Sequence, residues 1–265
     1  MSTKRILFVS DMHCGSHTGL CPPAWQVRRE LDADLNKYQR DTWRLWQKYT
    51  AALGKLHMVV CVGDLVDGQS HKDRGIGCIT TDVDEQCDMA LACLRHVVAP
   101  VHEMTHGTRM VYGTGYHVRN DGMQAERAIA AVLGATIGAR DRFSVNGYEF
   151  EVKHKAGGSQ AISGGDATLR NAMAWEDKRA VRMKRKPANA IVRGHNHRWR
   201  LVEDADKCAV ILPCLAGSTD FGALNCEAVV DWGLAWCDID EDGNGEWHRV
   251  THPLEQWLPK CEDCS

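Results

Sequence analysis

The chain has 265 residues, 44% of them apolar, which is long for one domain but suits an α/β sandwich with a sizeable core. A formal net charge of −3 provides no global basic field to draw it to nucleic acid or to an anionic membrane, and no stretch approaches the ~20 apolar residues of a membrane span. Met1-Ser2-Thr3-Lys4-Arg5 leads into an apolar run too short for a signal-peptide core, so a cytoplasmic protein without membrane contact is expected.

Lys4 to Ser10 reads as a strand. From Trp25 to Leu53 the apolar positions Leu31, Leu35, Trp43, Leu45, Trp46 and Tyr49 fall at helical spacing, predicting one or two amphipathic helices. A strand follows at Met58 to Val62, then a polar, glycine-bearing loop from Gly68 to Asp82. Glu85 to Val101 has a helical pattern that stops near Pro100, and Met110 to Tyr112 is a short strand. Met123 to Leu133 reads as a helix ended by Gly134, and Arg142 to Val152 as a hairpin turning at Asn146-Gly147. Asp166 to Lys184 is a helix with Asp166 or Thr168 as candidate cap. Ala190 to Val192, Ala209 to Leu212 and Leu234 to Ile239 are strands, and Glu246 to Val250 pairs back across the turn at 242–245. Strand and helix alternate early and strands dominate late, which predicts two packed sheets flanked by helices. Nothing reads as a linker or repeat, so 1–258 is expected to be one domain and 259–265 a frayed or redox-sensitive tail.

Twelve cysteines form no spaced disulfide framework. Cys61, Cys208, Cys214 and Cys237 lie in apolar runs, where a thiol acts as a small hydrophobe. Cys261 and Cys264 form a Cys-x-x-Cys without the second pair a structural zinc needs.

The chemistry lies in five segments: Asp11-Met12-His13, Gly63-Asp64-Leu65-Val66-Asp67, Gly113-Thr114-Gly115-Tyr116-His117, Lys153-His154 and Gly194-His195-Asn196-His197. Three of them directly follow an apolar strand, so their side chains can converge on one crevice. Carboxylates there would balance cationic charge and neutral imidazoles would add directional bonds. Each segment alone has a bland reading as a turn, a cap or a solvated loop; their joint occurrence in order makes the metal-site signal.

This order resembles the calcineurin-like metallophosphoesterase superfamily, with its D-x-H, G-D-x-x-D, G-N-H-[DE], lone His and G-H-x-H pattern, over roughly residues 6 to 197. The resemblance implies a four-layer α/β/β/α sandwich of two mixed β-sheets flanked by helices. It implies that Asp11, His13 and His197 hold a first divalent metal, that Asp64 bridges, and that His154 and His195 hold a second. His117 would act near the leaving group, and Asp67 would be the outer carboxylate that orients a ligand. The reaction implied is phosphoester hydrolysis by a hydroxide held between two ions about 3.5–4 Å apart. Manganese is the first expectation, with iron, zinc, nickel and cobalt as alternatives.

Two departures matter. Tyr116 stands where the family has a metal-binding Asn, and the string is similar to the G-T-x-x-H variant of phage and prophage members; Thr114, Asn120, Asp121 or His117 itself are the candidate substitutes. Gly68 follows Asp67 where the protein phosphatase branch has Arg, which argues against phosphoprotein substrates.

Further substrate contacts are open. His17 and His71 are either phosphate contacts or solvated loop residues. Lys178, Arg179 and Arg182 belong to a run of six cations between Lys178 and Lys186, which either grips a nucleic-acid backbone or is a solvated helix face. Trp175, Trp199, Trp232, Trp236 and Trp247 are stacking candidates or core. The expected activity is hydrolysis of phosphodiesters, with nucleic acid or a nucleotide as substrate and a nuclease among the readings. A phosphomonoesterase acting on a nucleotide or small metabolite is the alternative, and a non-catalytic metal-binding module a third.

Overall fold

The computed structural model describes residues 3–26, 33–69, 75, 77–98, 107–115, 122–156, 164–218 and 230–253. The first sheet contains β1 (Lys4–Val9), β2 (Met58–Cys61), β3 (Thr108–Val111), β4 (Thr136–Gly138), β10 (Asp231–Ile239) and β11 (Gly245–Pro253). Its order is β11-β10-β1-β2-β3-β4, with β1 to β4 mutually parallel and β10 and β11 antiparallel. The second contains β5 (Asp141–Val145), β6 (Tyr148–Lys155), β7 (Ala190–Gly194), β8 (Arg200–Asp204) and β9 (Lys207–Ile211), in the order β5-β6-β7-β9-β8. β6, β7 and β9 are parallel, while β5 and β8 are antiparallel edges.

Alternation in β1 builds the layers. Ile6 and Phe8 face the second sheet and bury against Phe150, Val152, Val192 and Val210. Leu7 and Val9 face the other way, into a core shared with α2 (Ala33–Ala52), α3 (Val83–Val98) and α4 (Gly122–Leu133). The outer face of the second sheet, with Ile191, Val202, Ala209 and Ile211, is covered by Leu169 and Met173 of α5 (Gly164–Arg182). A short α1 (Pro23–Gln26) precedes α2. The layers are therefore α/β/β/α, as expected from the sequence. Among the described residues no helix is long and apolar enough to cross a membrane.

Most predicted elements are present, with shifted ends. The Trp25–Leu53 pattern divides into α1 and α2, and the segment 27–32 between them lies outside the described residues. Asp166 is no cap: α5 starts at Gly164, so Asp166 sits in its first turn, where a carboxylate favours the positive end of the helix dipole. β4 and β8 were not expected; β4 is three residues long and β8 is only half-buried, so neither carries a clear alternating pattern. Asn146 and Gly147 take positive φ (50° and 84°), as a two-residue hairpin turn requires. Cys61, Cys208, Cys214 and Cys237 are buried and free, while Cys261 and Cys264 fall outside the described residues.

Candidate metal centre

The loops after β1 and β2 run on side by side beyond the sheet. Asp11 N donates to Gly63 O at 3.0 Å, His13 N to Asp64 O at 3.0 Å, and Asp67 N to Cys14 O at 3.0 Å. This continued pairing places Asp11, His13, Asp64 and Asp67 together at the C-terminal ends of the first sheet's parallel strands. The second sheet supplies His154 from β6 itself, and His195 and His197 from the turn after β7.

Two groups of donors result: Asp11, His13 and His197 in one, Asp64, His154 and His195 in the other. Within each group the ligand atoms lie within 4.8 Å of one another. Asp11 Oδ1 reaches toward both groups, 3.2 Å from His197 Nε2 and 3.9 Å from the Nε2 atoms of both His13 and His154.

The backbone is strained where these groups converge. Among the described residues, seven non-glycine residues have positive φ, and five are Asp11 (54°), His13 (45°), Asp64 (52°), His195 (74°) and His197 (55°). Left-handed geometry costs an L-residue roughly 1–2 kcal/mol, less for Asp, Asn and His than for branched side chains. Such strain persists only where surrounding structure enforces it, and it clusters at functional sites. Here it lets each chain reverse directly after a strand, so the side chain turns back over the strand ends. Close approach does the rest. A Cβ on Gly113 would lie 2.0 Å from Asp64 Oδ1, and one on Gly194 would lie 2.2 Å from Ser10 Oγ and 2.9 Å from Asp11 Oδ2.

Each ligand is held by a partner behind it. Asp67 Oδ1 accepts from His13 Nδ1 at 2.9 Å, which leaves His13 Nε2 pointing to the cluster, 3.3 Å from His197 Nε2. Asp11 Oδ2 accepts from the Ser10 hydroxyl and from His195 N at 3.0 Å. Asp64 Oδ1 accepts from Thr114 N at 2.7 Å, and the Thr114 hydroxyl lies 3.2 and 3.1 Å from Asp64 Oδ1 and Oδ2. His154 Nδ1 lies 2.6 Å from the Val62 carbonyl, so this nitrogen carries the proton. Its Nε2 is buried and lies 2.9 Å from Asp64 Oδ2.

The electrostatics demand positive charge here. Burial opposes a charge on His154, but Asp64 and Asp11 outweigh it and raise the imidazole to about 9. Burial pushes Asp11 up, yet His197, His154 and His13 outweigh it and hold the carboxyl well below its usual range. His195 is lowered to about 4, by burial first and then by the charge on His154. Buried carboxylates and facing imidazole nitrogens are satisfied by protons or by cations. Two carboxylates with four imidazoles is a donor set that fits a pair of divalent ions and does not distinguish manganese from iron, zinc, nickel or cobalt.

The other candidate residues are dispersed. His17 lies in the loop after β1, its amide donating to Gly77 O at 2.9 Å. His71, His117, Asn120 and Asp121 lie outside the described residues. The basic run is split. Arg179 turns inward, 3.2 Å from Glu176 and 3.6 Å from Glu151. Lys178 lies over the exposed Trp175 ring, and Arg182 is exposed. α5 begins beyond the ligand end of β6 and finishes beside the hairpin end, where Arg142 Nη2 donates to Lys186 O at 2.8 Å. At 1.5 Å per residue, Lys178 and Arg182 are roughly 21 and 27 Å along the axis from Gly164. Trp232 is core, and Trp199, Trp236 and Trp247 pack partly buried against the cores.

Sequence reasoning missed Ser10 and Glu126. Glu126 of α4 is fully buried, and it accepts from Gly113 N at 2.9 Å and Leu65 N at 3.4 Å. Burial, then Asp64, push its carboxyl up to about 7 against the pull of those two amides. In the sequence Glu126 is one more polar position of an amphipathic helix; its burial beside Ala125, Ile129 and Ala130 is what sets it apart.

No protein-family model matches the chain, and no curated protein matches it. Among solved structures it is similar to an archaeal phosphodiesterase (12% identity, 94% of this chain and 99% of that one, TM-score 0.44). It is similar to Vps29 of Entamoeba histolytica complexed with zinc (14% identity, 93% and 98%, TM-score 0.44). It is also similar to vacuolar protein sorting 29 of Cryptosporidium parvum (12% identity, 95% and 99%, TM-score 0.46).

Proposed function

We propose that the chain is a metal-dependent phosphoesterase that hydrolyses phosphodiesters, with nucleic acid or a nucleotide as substrate. The observation that carries this reading is the convergence of two carboxylate–imidazole groups from both sheets on one buried crevice. The ordered motifs that resemble the calcineurin-like metallophosphoesterases support it. Asp11, His13 and His197 would hold one cation and Asp64, His154 and His195 the other. Two divalent cations, manganese first among the candidates, would supply Lewis acidity and water activation when bound.

The chain's own residues do the rest. Asp67 fixes the tautomer of His13, Val62 O that of His154, and Ser10 and Thr114 fix the carboxylates of Asp11 and Asp64. Four imidazoles contribute no negative charge, so with two divalent cations bound a cationic excess would remain for an anionic phosphoester. His117 is proposed as the proton donor to the leaving oxygen. Lys178 and Arg182, at the far end of α5, are proposed contacts only for a polymeric substrate long enough to span that distance.

The test is turnover of bis-p-nitrophenyl phosphate and p-nitrophenyl phosphate, each with manganese and with chelator. Manganese-dependent turnover of the diester is expected. Turnover of the monoester alone would make the chain a phosphomonoesterase, and turnover of neither would make it a metal-binding module.

A further inference from the structure

We infer that Glu126 is a positioning residue for the metal centre: through the Gly113 and Leu65 amides it ties the β2 and β3 loops together and so sets the orientation of Asp64. The inference rests on the metal-centre reading above.

Its first support is cost. A carboxylate with no solvent exposure, on a helix face otherwise filled by Ala125, Ile129 and Ala130, is expensive unless its oxygens are occupied. Both oxygens are directed to main-chain N–H groups, Oε2 to Gly113 and Oε1 to Leu65. Those donors belong to two separate loops, and each is adjacent to a group at the site. Leu65 follows Asp64, and Gly113 precedes Thr114.

The second support is what lies beyond the bonds. Thr114 N donates to Asp64 Oδ1 at 2.7 Å, and its hydroxyl also lies against that carboxylate. The chain of contact thus runs from Glu126 to the Gly113 amide, then through Thr114 to Asp64, and returns through Leu65. Gly113 allows it, because a Cβ there would lie 2.4 Å from Asp64 N. With Oδ1 held on the Thr114 side, Oδ2 is presented to His154 Nε2 at 2.9 Å. A helix outside the crevice thereby fixes which carboxylate oxygen faces the imidazoles. A filler of the same shape could pack against α4 but could not accept from two loops at once.

Glu126→Gln is the direct test, because its amide nitrogen must face one of the two N–H groups and forfeits that bond. Manganese binding is measured by calorimetry on wild type, Asp64→Asn and Glu126→Gln, with thermal melts of the same samples. Wild type is expected to bind, Asp64→Asn to lose binding, and Glu126→Gln to bind at least tenfold more weakly, in line with losses at groups that orient metal ligands. Combining Glu126→Gln with Thr114→Val is expected to cost less than the sum of the two. If Glu126→Gln melts lower yet binds manganese as wild type does, Glu126 is only structural and the inference is overturned. If Glu126→Gln does not fold, Glu126→Asp decides: weakened binding supports the role, unchanged binding overturns it. No manganese binding by wild type would instead overturn the metal-centre reading itself.

Discussion

The Nε2 atoms of His13 and His197 face each other across 3.3 Å, and the Nδ1 of His13 is committed to Asp67. Two ring nitrogens at that separation, with Asp11 Oδ1 3.2 Å from one of them, are held together by a proton or by a cation. Divalent cations should therefore bind the native state and not the unfolded chain. Manganese at 100 times its Kd is expected to stabilise the protein by about 2.7 kcal/mol. Thermal melts with manganese and with chelator measure this, and superimposable curves would refute it.

Asp67→Asn should weaken the same position without touching a ligand. The carboxylate that accepts from His13 Nδ1 sets which nitrogen faces the cluster, and it makes the ligand more basic. A 10–100-fold loss in manganese affinity is expected from an effect of this kind. Calorimetry together with an unchanged far-ultraviolet circular dichroism spectrum would establish it.

Gly113→Ala and Gly194→Ala place a methyl where there is no room. The nearest atoms would be Asp64 Oδ1 at 2.0 Å and Ser10 Oγ at 2.2 Å. Both variants are expected to lose about 100-fold or more in kcat/KM on the diester, since misplacement by about 1 Å can cost that much. Gly134→Ala is the control. Its φ of 63° makes alanine costly by about 1 kcal/mol, but it lies at the end of α4 with open space around it. It should lower the melting temperature and spare turnover.

Lys184, two residues past the end of α5, has φ at 51°, and its amide donates to Val181 O at 3.2 Å. Lys184→Gly is expected to stabilise the protein by about 1 kcal/mol with no change in activity, because glycine adopts this conformation without a steric penalty. Urea denaturation checks it. The same geometry at Asp11, His13, Asp64, His195 and His197 allows no such relief, because the side chains there are the site.

Glu176 makes acid stability predictable in sign. Burial pushes its carboxyl up, but Arg185 and Arg142 outweigh it and bring it to about 2 from an ordinary 4.5. Its folded value is depressed, so its contribution is fully present above pH 4.5 and is lost as pH falls toward 2. Glu176→Gln is expected to cost about 1–2 kcal/mol at pH 7, because half-buried Arg185 loses its carboxylate while Arg142 keeps Glu149 and Arg179 keeps Glu151. Between pH 4.5 and 2 the variant should lose less further stability than wild type; parallel pH–urea curves would contradict this.

The four-layer architecture was legible because alternation in β1 and helical spacing in α3 are local patterns set by burial. The ligand types were legible because Asp11, Asp64 and His195 follow apolar strands directly, and chain connectivity alone puts such residues at strand ends. Glu126 was not legible as part of the site. Its helix reads as an ordinary amphipathic one, and its partners are main-chain amides on two loops distant in sequence.

The basic run makes the same point from the other side. Six cations in nine residues look like one surface, yet a helix turns Arg179 toward Glu176 and leaves Arg182 exposed. Residue types and spacing determined which layers form and which side chains are available as ligands. The closing of two sheets on each other decided which nitrogen faces which oxygen, because hydrogen-bond direction and the strained φ values at the strand ends exist only once both sheets are packed.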